Sequence, residues 1–172
     1  MAFVPGDIFD PKHLEVVPPA VASASASHES NTTGDDPAPD LRSLTSLNPL
    51  HGRVFAIHAS SFFHMFGEEK QLHVARALAG LLSPEPGSVI FGLQVGLPEK
   101  GFWGFDPSVA HGDHRMWCHS PESWTRLWDG LVFDNGVVNV QTMLVQMGKK
   151  YSELDAPQST TFTVIVWSVT RL

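Results

Sequence analysis

Three consecutive stretches decide the fold: Val54-Phe55-Ala56-Ile57-His58-Ala59, then Glu68 to Leu82, then Ser88-Val89-Ile90-Phe91-Gly92-Leu93-Gln94-Val95. The first is a short apolar run that suits a buried strand. The second places Leu72, Ala75, Ala79 and Leu82 on one helical face before Ser83-Pro84-Glu85-Pro86-Gly87 breaks the pattern. The third is rich in Val, Ile, Phe and Leu, and its Gly92 and the following Gly96 mark places where backbones come close. Strand, helix and strand in that order predict a right-handed crossover between parallel strands, with the helix on one face of a sheet.

Downstream, Pro98 to Cys118 has no clean periodicity and is rich in Gly, aromatic residues and His, which reads as a long loop of the functional or lid type. Ser120 then supplies an N-cap and Pro121 a first helical residue, with Trp124, Leu127, Trp128 and Leu131 at helical spacing. Val137 to Met147 and Thr161 to Thr170 are two β-rich segments around a polar connection, an expected antiparallel terminal pair. Upstream, Leu41, Leu44 and Leu47 recur at helical spacing until Asn48-Pro49, predicting a short helix before the first strand. Residues 15–40 turn to Ala, Ser, Pro and Asp and predict a disordered insertion, because they carry too little apolar surface to offset ordering entropy. The apolar segment Phe3 to Leu14 precedes it and must dock on the later domain to be ordered.

Composition bounds the function. The chain has 172 residues, 42% hydrophobic and 17% charged, which is the balance of one globular domain. A formal net charge of -7 with 11 Lys and Arg argues against nucleic acid, since a phosphate-tracking surface needs clustered positive charge. The apolar runs are far shorter than the ~20 residues that a membrane span needs, and Met1 to Asp7 does not read as a secretory signal. One cysteine, Cys118, excludes an internal disulfide and fits a reducing compartment, so a cytoplasmic location is expected.

Several motifs occur in a fixed order: Phe3-Val4-Pro5-Gly6-Asp7-Ile8-Phe9-Asp10-Pro11, Ile57-His58-Ala59-Ser60-Ser61-Phe62-Phe63-His64, Leu82-Ser83-Pro84-Glu85-Pro86-Gly87-Ser88-Val89-Ile90-Phe91-Gly92, Cys118-His119-Ser120-Pro121-Glu122-Ser123-Trp124 and Trp167-Ser168-Val169-Thr170-Arg171-Leu172. On these the chain resembles a family of fungal, mainly basidiomycete, class I S-adenosylmethionine-dependent methyltransferase-domain proteins. It is similar, more distantly, to fungal enzymes that methylate terpenoid-derived acids and alcohols. The resemblance implies an α/β fold: a partial Rossmann-like sheet lacking its first strands, with parallel strands and an antiparallel C-terminal pair. Residues 1–14 would be the end of the third strand with the adenine-contact turn, and residues 41–172 the C-terminal half of the domain. The glycine-rich cofactor turn of such enzymes would lie upstream of Met1, so weak or absent S-adenosyl-L-methionine binding is expected of this chain.

The same resemblance implies cofactor-binding positions. Asp7 would accept from the adenine amino group, a task for an acceptor-only carboxylate, and Ile8 would pack on the ring. His58, Ala59 and Ser60, at the carboxyl end of a strand, would line the cofactor. His64 is the candidate catalytic base toward a small-molecule acceptor, with His119 an alternative. The competing readings are an Asp7 in an exposed Pro-Gly-Asp turn, and histidines half-buried and satisfied by backbone. Phe102-Trp103-Gly104-Phe105 with Trp117 and Trp124 would form either an apolar acceptor pocket or plain core.

Other functions fit less well. His111, His114, Cys118 and His119 match no standard zinc spacing, so no metal is expected. Ser60 and Ser61 lack the Gly-x-Ser-x-Gly frame of a serine hydrolase. The serious rival is a catalytically inactive, truncated paralogue or a protein-interaction module, whose first strand would leave an open sheet edge inviting self-association.

Overall fold

A computed structural model describes residues 3–21, 39–103, 116–148 and 161–172. Strand β1 (Ala56–His58) leads through a single 3-10 turn, Phe63–Met65, into helix α1 (Glu68–Leu81) and then strand β2 (Val89–Val95). β1 and β2 pair in parallel, Ala56 opposite Val89 and His58 opposite Phe91, as the crossover pattern predicts. A two-stranded ribbon, β3 (Gly101–Trp103) against β4 (Met116–Cys118), precedes helix α2 (Pro121–Trp128). The long antiparallel strands β5 (Val138–Gly148) and β6 (Thr161–Arg171) complete a sheet of order β1-β2-β6-β5, with β6 antiparallel to both neighbours.

Side-chain alternation along β2 and β6 separates two faces. Ile90, Gly92 and Gln94 stand opposite Val169, Trp167 and Ile165, and all six are buried. Against this face pack Phe63, Trp124 and Trp128, which meet Trp167 in edge-to-face and stacked contacts with centroids 5.8, 5.0 and 5.9 Å away. These geometries add to the large area each ring removes from water. Trp124 is thus core rather than acceptor pocket, since it has no exposed surface.

The opposite face is partly open among the described residues. Leu93, Val166 and Met143 are register partners in one row across β2, β6 and β5, and all three are exposed. Phe91 stands beside them, also exposed. At the sheet margin β1 has β2 on one side and no partner strand among the described residues on the other.

Four expectations are corrected by packing. Leu41 to Leu47 form turns, followed by a 3-10 turn at Asn48–Leu50, because Asn48 is used as a clamp: its Oδ1 accepts from the Glu15 amide at 2.8 Å and its Nδ2 donates to the Pro11 carbonyl at 3.0 Å. The segment from Glu15 to Val21 is fixed rather than disordered: Val17 lies against Gly80, where an added Cβ would come within 2.8 Å of its side chain, and Ala20 accepts a hydrogen bond from Arg171. The rest of the expected insertion, residues 22–38, lies outside the described residues, as do 104–115 of the expected lid. The ends of that loop form the β3–β4 ribbon. Finally, α2 stops at Trp128, short of Leu131, where the Asp129–Phe133 bridge and Gly130 at φ 125° turn the chain.

Candidate functional site at the strand tips

The carboxyl end of β1 is held against β2 beyond the strand itself. Ala59 N–H donates to the Phe91 carbonyl at 2.9 Å and Ser61 N–H to the Leu93 carbonyl at 2.7 Å. Between them the backbone comes so close that a Cβ on residue 92 would lie 2.2 Å from the Ala59 carbonyl oxygen, a requirement only glycine meets. Ser61 then turns the chain at φ 53°. That conformation is uncommon for a non-glycine residue and is typical of functional turns.

His58 and Ser60 meet here. Ser60 Oγ lies 2.7 Å from His58 Nε2 and also accepts the Leu93 amide at 3.2 Å, while the His58 ring tilts over Phe91 with centroids 5.1 Å apart. Ala59 between them is buried and small. The tip therefore presents an imidazole, a hydroxyl and a narrow, side-chain-poor strand end.

Asp7 stands in a turn: its Oδ1 accepts the Phe9 amide at 2.9 Å and its carbonyl accepts the Asp10 amide at 3.0 Å. The side chain is exposed and Ile8 is half-buried. This turn is tied to the strand tip by aromatic contacts, Phe9 edge-on to Phe66 at 5.1 Å and Phe66 edge-on to Phe62 at 5.3 Å. Phe62 follows Ser61 directly, so the Asp7 turn and the His58–Ser60 tip border one aromatic cluster.

His64 sits farther along, in the 3-10 turn, half-buried, with Nδ1 accepting the Val95 amide at 3.4 Å. Burial lowers its pKa, so the ring is neutral at neutral pH. With Nδ1 as acceptor, the neutral ring carries its proton on Nε2. It acts as a base only by giving up that long contact.

A concavity of about 590 Å³ opens between α1 and α2. Glu68 and Lys100, paired at 3.0 Å, stand at its edge, and Leu72, Leu127 and His119 line it. His119 is 3% exposed, its Nδ1 lies 2.9 Å from Ser123 Oγ, and its Nε2 has no partner among the described residues. Burial pushes its pKa down to about 4; Glu68 opposes that shift and Lys100 adds to it.

The Cys118 thiol is buried, and burial pushes it up to about 11, against the pull of a backbone bond from Trp103. No group of three His, Cys, Asp or Glu suited to a metal ion occurs among the described residues, and His111 and His114 lie outside them. No helix among the described residues is long and apolar enough to cross a membrane.

No protein-family model matches the chain. About half of it is similar to fungal methyltransferases. It is 33% identical over 90 residues to the O-methyltransferase phiE of a fungal species (strain ATCC 74256), covering 52% of this chain and 29% of that protein. It is 32% identical over 90 residues to the Asnovolin E/Chermesin D methyltransferase nvfJ of Aspergillus novofumigatus, covering 52% and 31%. To the methyltransferase ausD of Penicillium brasilianum it is 32% identical over 90 residues, covering 51% and 30%. The matched segment thus spans less than a third of each of these curated relatives.

Proposed function

We propose that the chain forms the later strands of a class I S-adenosylmethionine-dependent methyltransferase domain, one that transfers a methyl group to an oxygen of a small organic acceptor in fungal secondary metabolism. The observation that carries this reading is the parallel β1–α1–β2 unit followed by an antiparallel pair, in the order β1-β2-β6-β5, in a chain whose similar proteins are methyltransferases. Open α/β sheets bind ligands outside the carboxyl ends of their strands, which is where His58, Ala59 and Ser60 stand. Cytoplasmic residence accords with the single, reduced Cys118.

The residues present suit the adenosyl group. The exposed Asp7 carboxylate keeps acceptor capacity beyond the one bond to Phe9, and Ile8 offers an apolar surface. When bound, the cofactor supplies an electrophilic methyl group for in-line displacement, so the protein's part is alignment and exclusion of water. In this reading Asp7 accepts the adenine amino group and the His58–Ser60 tip lines the cofactor. His64 presents Nε2–H toward the acceptor. A carboxylate acceptor needs no base, which agrees with a His64 whose Nδ1 is already engaged.

Saturation-transfer NMR with S-adenosylhomocysteine tests the reading. Transfer to the adenine protons is expected, reduced in Asp7→Ala. No transfer, or transfer unaltered by Asp7→Ala, would overturn it.

A second reading, a protein-contact module, is favoured by the bare row of Leu93, Val166 and Met143 and the unpaired side of β1. Apolar sheet surface and an open strand edge promote association, so the isolated chain self-associates and binds the cofactor weakly.

A further inference from the structure

Strand β5 forms the sheet margin opposite β1. It is 11 residues long, has only β6 as a partner strand among the described residues, and contains neither a charged residue nor a proline. Natural sheet margins are ordinarily blunted by Lys, Pro, a bulge or a very short strand. β5 has none of these, since it pairs with β6 in unbroken register over its whole length.

The ladder fixes which backbone groups of β5 are unused. The Leu172 amide donates to the Val137 carbonyl at 3.2 Å, in the register that β5 and β6 continue, which marks these two as a hydrogen-bonded pair. Such pairs alternate along an antiparallel ladder, so Asn139, Gln141, Met143, Val145 and Met147 bond to β6. The far side of β6 agrees. The Arg171 amide donates to Ser88 and the Gly96 amide to Thr163, which gives the odd-numbered residues of β6 to β2 and leaves the even-numbered ones to β5. Val140, Thr142, Leu144 and Gln146 therefore turn their N–H and C=O groups away from β6, and none of these groups has a partner among the described residues.

A second copy of the chain matches this margin. Met143 is the midpoint of β5, so a twofold axis beside it sets Val140 opposite Gln146 and Thr142 opposite Leu144 of the other copy, and every unused group meets its complement. The antiparallel sense also sets the Val138 end, which is buried, against the end where Met147 is exposed. Each copy has a formal charge of -7, yet β5 against β5 brings no charges together. At ~3.4 Å per residue and a sheet thickness of ~10 Å, the pairing covers roughly 700 Å² in all. That is below the ~1,200 Å² of stable complexes, so the contact is weak and reversible.

We propose that β5 is a self-association edge: it pairs antiparallel with β5 of a second copy about a twofold axis at Met143, joining two sheets into one. The surface lies apart from the strand tips, and its test contains no cofactor.

Amide hydrogen exchange on the full chain, in dilute and in concentrated solution, is the test. The amides of Val140, Thr142, Leu144 and Gln146 should slow at least about tenfold on concentration, while those of Gln141, Met143 and Val145, already bonded to β6, should change little. Thr142→Pro removes an outward donor, twice by symmetry, and should weaken association at least about tenfold in light scattering. Met143→Cys, with Cys118 buried, should be cross-linked by oxidised glutathione at least about tenfold faster than Val145→Cys, because only residue 143 faces its own copy, at a Cα separation of about 4.5 Å. A monomer at all concentrations, association that leaves the four amides fast, or equal cross-linking of the two cysteine variants would each overturn the proposal. Protection of the four amides that is independent of concentration would assign the edge to a segment of the same chain and overturn it too. The exchange measurement uses the parent protein, so it decides even if Thr142→Pro fails to fold.

Discussion

Replacing Gly92 by alanine puts a methyl group where the Ala59 backbone already is. The added Cβ would lie 2.2 Å from the Ala59 carbonyl oxygen, 2.7 Å from its carbonyl carbon and 3.2 Å from the Ser60 nitrogen. All three are backbone atoms, so no side chain can rotate away; β1 must separate from β2 at its tip. The cost is that of overpacking, about 1–3 kcal/mol. For a chain of this length each kcal/mol lowers the melting temperature by about 2–4 °C, giving a loss of roughly 2–12 °C. The strain falls on the bonds Ala59 N–H to Phe91 and Ser61 N–H to Leu93, so those two amides should exchange faster. Gly101→Ala is the control, because an added Cβ there meets nothing within 4 Å. It should leave stability unchanged or raise it by about 0.4–1 kcal/mol. Thermal unfolding by circular dichroism reads both. A Gly92→Ala protein as stable as the parent, with unchanged protection at Ala59 and Ser61, would refute the close parallel packing of the strand tips.

Acid should destabilise the protein through His119. Its folded pKa of about 4 lies below the unfolded value of 6.5, so the stability it confers is complete above pH 6.5 and is lost as pH falls through 4, up to roughly 3 kcal/mol. Urea unfolding of the parent minus that of His119→Phe should change across this window, and a constant difference would contradict the buried neutral ring. Ser120→Ala removes the bond from the Ser123 amide and leaves the reciprocal bond from the residue 120 amide to Ser123 Oγ in place, at a cost of about 1 kcal/mol in the same assay. Light scattering should find the chain associated, and Leu93→Lys, which charges the centre of the bare row, should shift it toward monomer; a monomeric parent would contradict the exposed apolar face as a contact surface.

What was legible in the sequence followed from periodicity and punctuation. The crossover could be read because Leu72, Ala75 and Ala79 keep one face between two β-rich runs, and the terminal pair because β-branched residues recur along the first strand and dominate the second. The Ser120 cap was legible from its Pro121 neighbour. What failed was local spacing overridden by distant contacts: Leu41, Leu44 and Leu47 have helical spacing, but Asn48 is committed to residues 33 and 37 positions away. The Ala/Ser-rich segment looked uniformly unstructured, yet its start is anchored by single contacts with Gly80 and Arg171, which composition cannot register.

At the site, the pairing of His58 with Ser60 follows from strand alternation, since residues two apart share a face. The His119 cleft was not legible as a cavity. Its partial signal was a histidine placed just before a capped helix with a serine four residues on, which only the folded chain brings together beside a concavity.

The central claim, that the tips of β1 and β2 face an adenosyl group, is tested most directly by titrating 15N-labelled chain with S-adenosylmethionine and following each backbone amide. Shifts should concentrate at Asp7 to Phe9 and at His58 to Ser61, rising without saturation until the ligand is well above micromolar concentrations. Amides in both segments that stay in place while the ligand moves others, or that never respond, would contradict it.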